Sequence, residues 1–258
     1  MFGEYFLDNC MENIVYDIRW SDQLDEKFIK DFLYVQQEVF HCGSREDFKH
    51  QFEDNIYGTS IVVVVYLDGN PVAARGLWRN DLEGKEAYQP GSTCVLPICR
   101  GKGIFKEMTM QAIAKLPDTA YIYNFPNPNS FPGYMKMGWK LLHDYRLSAY
   151  LSYKAYNKEH PVKADSNYVD WWFVGKKLRY VKRGGHYFLV QKDHRPFCWR
   201  ILAEVEKESA LKFPKMSPGV LFYKSTKTTW LNKRLGASHV VYRGCDLEYI
   251  PTWKIDAV

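Results

Sequence analysis

The chain lacks any apolar run long enough to cross a bilayer. Its longest, Ile61 to Leu67, falls far short of the ~20 residues a membrane-spanning helix needs. Residues Met1–Asp8 have neither the basic start nor the apolar block of an export signal, so export is not expected. The cysteines (Cys10, Cys42, Cys94, Cys99, Cys198 and Cys245) stand apart, with no CxxC and no paired histidines. That spacing excludes the usual zinc site and a disulfide framework. A reduced, cytoplasmic protein without a metal is the expectation. Two common nucleotide fingerprints are missing as well. GxGxxG fails because Lys106 stands where the glycine after Gly101 and Gly103 should be, and the Walker pattern fails because Glu107 follows Lys106.

What is present is a glycine-rich turn between an apolar stretch and a helix-spaced run. Val95-Leu96 meets Pro97, then Arg100-Gly101-Lys102-Gly103, then Ile104, Met108 and Ala112 on one helical face. Strand, glycine turn and helix together present free backbone N–H groups and the positive end of a helix dipole to an anion. Arg100 and Lys102 add charge. A phosphate-bearing ligand is expected here. With 258 residues, 46% hydrophobic and 16% aromatic, the chain can bury a core as one large or two small domains.

The spacing V-x-P-x-x-R-x-x-G over Val95–Gly103 resembles the pyrophosphate loop of the GNAT superfamily of acyl-CoA N-acyltransferases. That family's pattern is (Arg/Gln)-x-x-Gly-x-(Gly/Ala). Here it reads Arg100, Gly103, Phe105, with a bulky ring at the last small position. Further on, Asn127, Tyr134, Gly138 and Trp139 resemble the family's fourth-helix signature, N-x-x-A-x-x-x-Y-x-x-x-G-F. Upstream, Ser60–Leu67, the turn Asp68-Gly69-Asn70 and Pro71–Gly76 read as a β-hairpin, where the family has its second and third strands. The resemblance covers residues 14–146. It implies an α+β chain with the GNAT fold: a mixed, mostly antiparallel sheet flanked by helices, followed by a smaller α/β half. The implied domains are residues 1–148 and 149–258.

The same resemblance implies the chemistry. Cys94, Val95 and Leu96 would offer backbone groups to the pantetheine arm and the thioester oxygen. Arg100, Gly101, Lys102, Gly103, Ile104 and Phe105 would hold the pyrophosphate, and Asn127 would either bind pantetheine or hold the start of its helix. Tyr134 would be the general acid, giving its phenolic proton to the departing thiolate. Acetyl-CoA is then the co-substrate. A small-molecule primary amine, anionic or sugar-linked, is the acceptor, with an amino sugar as one candidate; neither a membrane nor nucleic acid is an expected partner. The general base stays open among Asp81, Glu83, Glu86, His41 and a water chain. Aromatics Phe40, Phe48, Phe52 and Tyr57 could line the acceptor site. Two other readings remain: a GNAT-fold module that binds CoA or a nucleotide without turnover, and a paired-GNAT aminoacyl or long-acyl transferase.

Charge is divided unevenly. Residues 1–150 carry 15 Lys and Arg against 20 Asp and Glu, residues 151–258 carry 20 against 10, so the later part is strongly basic. Its densest stretch, Lys176–Arg183, reads either as a surface for nucleic acid or an anionic substrate or as a solvated strand face with Leu178 and Tyr180 inward. Trp171-Trp172-Phe173 reads either as a cover for the acceptor site or, the favoured reading, as core. Periodicity places strands at Ile14–Trp20, up to Leu96, at Ala120–Phe125 and from Trp139. Helices follow Ser21/Asp22 as far as Phe40, open at Ser44, and span Ile104–Lys115 and Ser130–Met137. Later come a hairpin across His194-Arg195-Pro196, a helix near Lys207–Lys212, strands Val220–Tyr223 and Val240–Tyr242, and a helix Thr228–Leu235. The tract Val220–Gly236 repeats the rhythm of Tyr121–Gly138. This reads either as a degenerate GNAT-like half without its own cofactor loop or as an unrelated small domain.

Overall fold

Strand β1 (Ile14–Trp20) pairs antiparallel with β2 (Ile61–Leu67), residue for residue from Ile14–Leu67 to Trp20–Ile61. The computed structural model describes residues 13–229, 232 and 237–257. These fall into two compact units. The first holds the described residues up to Asn124 together with Tyr242–Asp246, and the second holds Phe125–Val241 with the residues from Leu247 on.

In the first unit β2, β3 (Asn70–Arg79) and β4 (Ala87–Val95) continue the antiparallel ladder, and β5 (Tyr121–Asn124) runs parallel to β4. The run Ile61–Val65 is buried throughout, as expected of β-branched residues in a strand covered on both faces. Helix α1 (Glu26–Phe40) turns Phe28, Phe32 and Val35 inward at helical spacing. Its cap differs from the expected Ser21 or Asp22. Asp25 accepts from the Phe28 N–H at 2.8 Å. Trp20 is still paired with Ile61, so the chain needs several residues to leave the strand, and Ser21 spends its hydroxyl on the Ser60 N–H at 3.0 Å.

Helix α2 (Arg45–Phe48) opens on Ser44, whose hydroxyl accepts from the Asp47 N–H at 3.0 Å. It runs on as a π turn, Lys49–Glu53. Phe32, Phe48 and Phe52 meet with ring centroids 4.9–5.8 Å apart. Two of the aromatics expected at an acceptor site, Phe48 and Phe52, are therefore core. Helix α3 (Ile104–Ile113) buries Ile104, Met108 and Ala112, the face anticipated from their spacing. At the C-terminal end of the chain, the Cys245 thiol lies 3.8 Å from the Asp118 carbonyl and 3.7 Å from that of Thr119.

The second unit begins with α4 (Phe131–Lys136) and β6 (Lys140–Ala149). Helix α5 (Tyr153–Glu159) follows, then α6 (Ser166–Tyr168) prolonged by a π turn, Val169–Phe173. Strands β7 (Leu178–Arg183), β8 (His186–Lys192) and β9 (Cys198–Val205) form an antiparallel ladder. Helix α7 (Lys207–Ala210) leads to β10 (Val220–Ser225), parallel to β9 and antiparallel to β6. Strand β11 (Ser238–Gly244) is the last among the described residues, and its residues from Tyr242 on count with the first unit. Tyr156, Phe188, Trp199, Ile201 and Tyr223 centre the core. Trp171, Trp172 and Phe173 are buried, as the packing reading predicts. In β7 the inward residues are Leu178 and Val181 rather than Leu178 and Tyr180; alternation breaks where Pro214–Met216 bonds along the Tyr180 backbone. The helix expected over residues 228–235 and its glycine Gly236 lie largely outside the described residues.

Candidate functional site

Strand β4 leaves its parallel neighbour early. The two pair at Ala87–Tyr121 and Tyr88–Ile122, after which β4 runs on to Val95 and β5 to Asn124. A buried polar chain marks the parting: the Tyr123 hydroxyl donates to the Asn80 carbonyl, and the Asn80 amide to the Gln89 side chain, each at 2.9 Å. Beyond it β4 bulges. Cys94 pairs with Ala74 and Gly91 with Gly76, so β4 carries one residue more than β3 across this step. Ser92, within the bulge, has a left-handed φ of 50°, and its carbonyl accepts from the Gln36 side chain of α1. Cys94 and Val95 lie just past the bulge, and the Leu96 N–H donates to the Val72 carbonyl at 2.9 Å. Burial pushes the Cys94 thiol up to about 12, so it stays protonated near neutral pH.

After a short helical turn, Pro97–Cys99, the chain reaches the glycines. Gly101 and Gly103 have φ of 77° and 80°, and Gly103 is the N-cap of α3. A Cβ built at either meets nothing within 4 Å, so the side of the turn that faces away from the fold is open. The Arg100 Nε donates to the Val95 carbonyl at 3.1 Å, tying the turn to the end of β4. The turn thus joins left-handed glycines, a helix start and two exposed basic residues, Arg100 and Lys102, a combination that suits a diphosphate. Phe105, the departure from the family pattern, turns its ring over Arg75, whose guanidinium carbon lies 5.2 Å from the ring centroid. Arg75 is fully buried on β3. Sequence reasoning passed over it, although an arginine between Ala73-Ala74 and Gly76-Leu77-Trp78 is the visible signal.

Asn127 and Tyr134 belong to the second unit. The Asn127 side-chain oxygen accepts from the N–H groups of Asn129 at 3.0 Å and Ser130 at 2.9 Å, so it organises the turn into α4. Tyr134 is 2% exposed and meets the Trp139 ring edge-on, centroids 4.8 Å apart. The Trp139 N–H returns to the Tyr134 carbonyl at 3.2 Å, which closes the helix and explains the Tyr-x-x-x-Gly-Trp spacing. His239 was not singled out from sequence. It stacks on Phe131 at 3.9 Å, and its Nδ1 lies 2.7 Å from Asp144.

The open candidates for general base are placed too. Asp81 is tied to Arg79 at 3.0 Å and accepts from the Ala87 N–H at 3.1 Å. Glu86 accepts from the Tyr88 hydroxyl at 2.7 Å, His41 caps the end of α1 and Glu83 sits in a left-handed turn. Asp81 thus ties the end of β3 to the start of β4, while Glu86 bonds two residues along its own segment. Among the described residues no three His, Cys, Asp or Glu side chains gather into a metal-binding group, and no helix is long and apolar enough to cross a membrane.

No protein-family model and no curated protein matches the sequence. Solved structures do match the fold. A Pyrococcus horikoshii protein assigned as an acetyltransferase superposes with a TM-score of 0.54 at 12% identity, over 97% of this chain and 96% of its own. A GCN5-related N-acetyltransferase from Kribbella flavida gives 0.53 at 11% identity, over 88% of this chain and 72% of its own. Another, from Anabaena variabilis, gives 0.51 at 11% identity, over 88% and 73%. The chain has the GNAT fold, in the α+β form the sequence implies.

Proposed function

We propose that this GNAT-fold chain is an N-acyltransferase that moves an acetyl group from the acetyl-CoA thioester to a primary amine of a small molecule. One observation carries the reading: β4 parts from β5 after two pairs, bulges, and delivers its end to a left-handed glycine turn that opens a ten-residue helix. Diverging strands leave backbone groups for an amide-bearing arm, and the turn beyond them suits the diphosphate at the end of that arm. The GCN5-related N-acetyltransferases of the same fold support it.

In this reading residues 1–148 form the catalytic domain and residues 149–258 bear on the acceptor. Backbone groups of Cys94, Val95 and Leu96, less the Leu96 N–H already given to the Val72 carbonyl, orient the pantetheine arm and polarise the thioester carbonyl. The turn Arg100–Gly103 and the first residues of α3, Ile104 and Phe105, receive the pyrophosphate, and Asn127 sets the start of the helix that carries Tyr134. The neutral amine attacks the carbonyl carbon, the C–S bond breaks, and the thiolate takes the phenolic proton of Tyr134. The proton lost by the amine passes to solvent, and the Tyr134 phenolate takes one back from solvent to restore the acid. Calorimetry with acetyl-CoA, followed by a screen of amines (amino sugars first) for released thiol, tests the proposal. Failure to bind CoA would overturn it, while binding without transfer to any amine would leave only a CoA-binding module.

A further inference from the structure

The second unit repeats the strand plan of the first. Strands β7, β8 and β9 are antiparallel and β10 is parallel to β9, as β2, β3 and β4 are antiparallel and β5 is parallel to β4. The parallel pair again holds only near its start. Cys198, Trp199 and Arg200 pair with Val220, Leu221 and Phe222, after which β9 runs on to Val205 and β10 to Ser225. The strand that diverges bulges again. Ala203 pairs with Leu189 and Ile201 with Val190, so β9, like β4, carries one residue more than its antiparallel partner. Counted from the residue that closes each bulge, Glu204 stands where Val95 stands in β4.

The two units differ at that point. In the second, the chain's own segment from His160 to Ala164 lies between the diverging strands. The Ala164 N–H donates to the Glu204 carbonyl on β9 at 2.9 Å. His160 bonds through Nε2 to the Lys224 carbonyl on β10 at 2.7 Å, and through Nδ1 to the Thr252 hydroxyl at 3.0 Å. The Trp253 indole N–H reaches the Val162 carbonyl at 3.3 Å. His160 and Ala164 are each 3% exposed, so the segment is packed in and not draped over the surface. Glu204 is buried as well, and its carboxylate lies 3.7 Å from Lys163 of the same segment and 3.0 Å from His186. Helix α7 begins at Lys207, immediately after β9, with no glycine turn before it.

We propose that the cleft of the second unit is a backbone-recognition site of the same plan whose permanent occupant is residues 160–164 of the chain itself. The segment supplies an amide to the carbonyl that matches Val95, the position where the first unit would meet the amides of the pantetheine arm. It closes the cleft to acyl-CoA, so the chain binds one equivalent. That count rests on the reading of the first unit as the CoA site; the occupancy of the second cleft does not.

Two measurements on the full chain separate them. Calorimetry with acetyl-CoA should give one equivalent. Hydrogen exchange should find the Ala164 amide slow in the free protein and unchanged by acetyl-CoA, while peptides over Gly101–Lys106 slow on its addition. Two equivalents of CoA, or an Ala164 amide that exchanges as fast as an exposed loop, or one that gains protection with ligand, would overturn the proposal. A chain that binds no CoA yet keeps a slow Ala164 amide would overturn the function proposed for the first unit and uphold the occupied cleft.

Discussion

The ring of Phe105 lies over the buried guanidinium of Arg75, 5.2 Å from its centre, and so turns inward from the glycine turn that precedes it. A bulky residue at the last position of the loop therefore leaves the outer side of Gly101 and Gly103 open. Replacing Phe105 by Leu keeps apolar volume and removes the ring face, a loss of order 1–2 kcal/mol for a desolvated cation–π contact. The expected outcome is a lower unfolding midpoint in urea with acetyl-CoA affinity changed less than threefold. A large loss of affinity in a stable variant would make Phe105 part of the ligand surface.

Gly103 should tolerate proline least. Its φ of 80° lies outside proline's range, and proline also removes an N–H from the turn. Gly103→Pro is expected to weaken CoA binding at least tenfold, about 1.4 kcal/mol. Arg100→Ala should cost less, because its bond to the Val95 carbonyl is exposed. Calorimetry on folded variants decides the order.

Tyr134→Phe keeps the ring against Trp139 and removes only the hydroxyl. Turnover should fall by roughly 10²- to 10⁴-fold with the Michaelis constant little changed. Full activity in this variant would leave Tyr134 as a packing residue.

Gly76 is held to glycine by contact. A Cβ there would collide with the Phe52 ring. Gly76→Ala should destabilise the protein by about 1–3 kcal/mol, and adding Phe52→Leu should recover part of that loss. Equal stability for wild type and Gly76→Ala in urea would show that the Phe52 ring moves aside freely.

Asp193 gives a pH signature. The Arg195 side chain at 2.7 Å holds its carboxyl down, to about 2. The folded value lies below the unfolded one, so the stabilisation is full above the unfolded pKa of about 3.9 and fades as pH falls through about 2. Asp193→Asn should flatten this part of the stability curve, measured by urea midpoints from pH 6 down to pH 2.

The order of elements through Met137 was legible because each carries a local signal. The hairpin has its turn at Asp68-Gly69, α3 its inward face, and α4 its Asn127 turn and Gly138 stop. Features made by distant partners left no such trace. Asp25 became the cap of α1 only because Trp20 remained paired with Ile61. The bulge in β4 depends on its register with β3, and nothing in Gly91–Cys94 alone announces it. The parallel pairing of β9 with β10, and the segment beside Glu204, are equally non-local. Asn232 stands four residues before Gly236, as Tyr134 stands four before Gly138, yet its amide bonds the Ser148 hydroxyl and the Lys227 carbonyl.

Tyr242–Asp246 packs with the first unit although more than a hundred residues separate it from Asn124. At ~5–20 residues per second, a ribosome needs several seconds to make the intervening chain. Throughout that interval the carbonyls of Asp118 and Thr119, which later face Cys245, wait for a partner not yet synthesised. The first unit, begun first, is thus among the last parts to be completed.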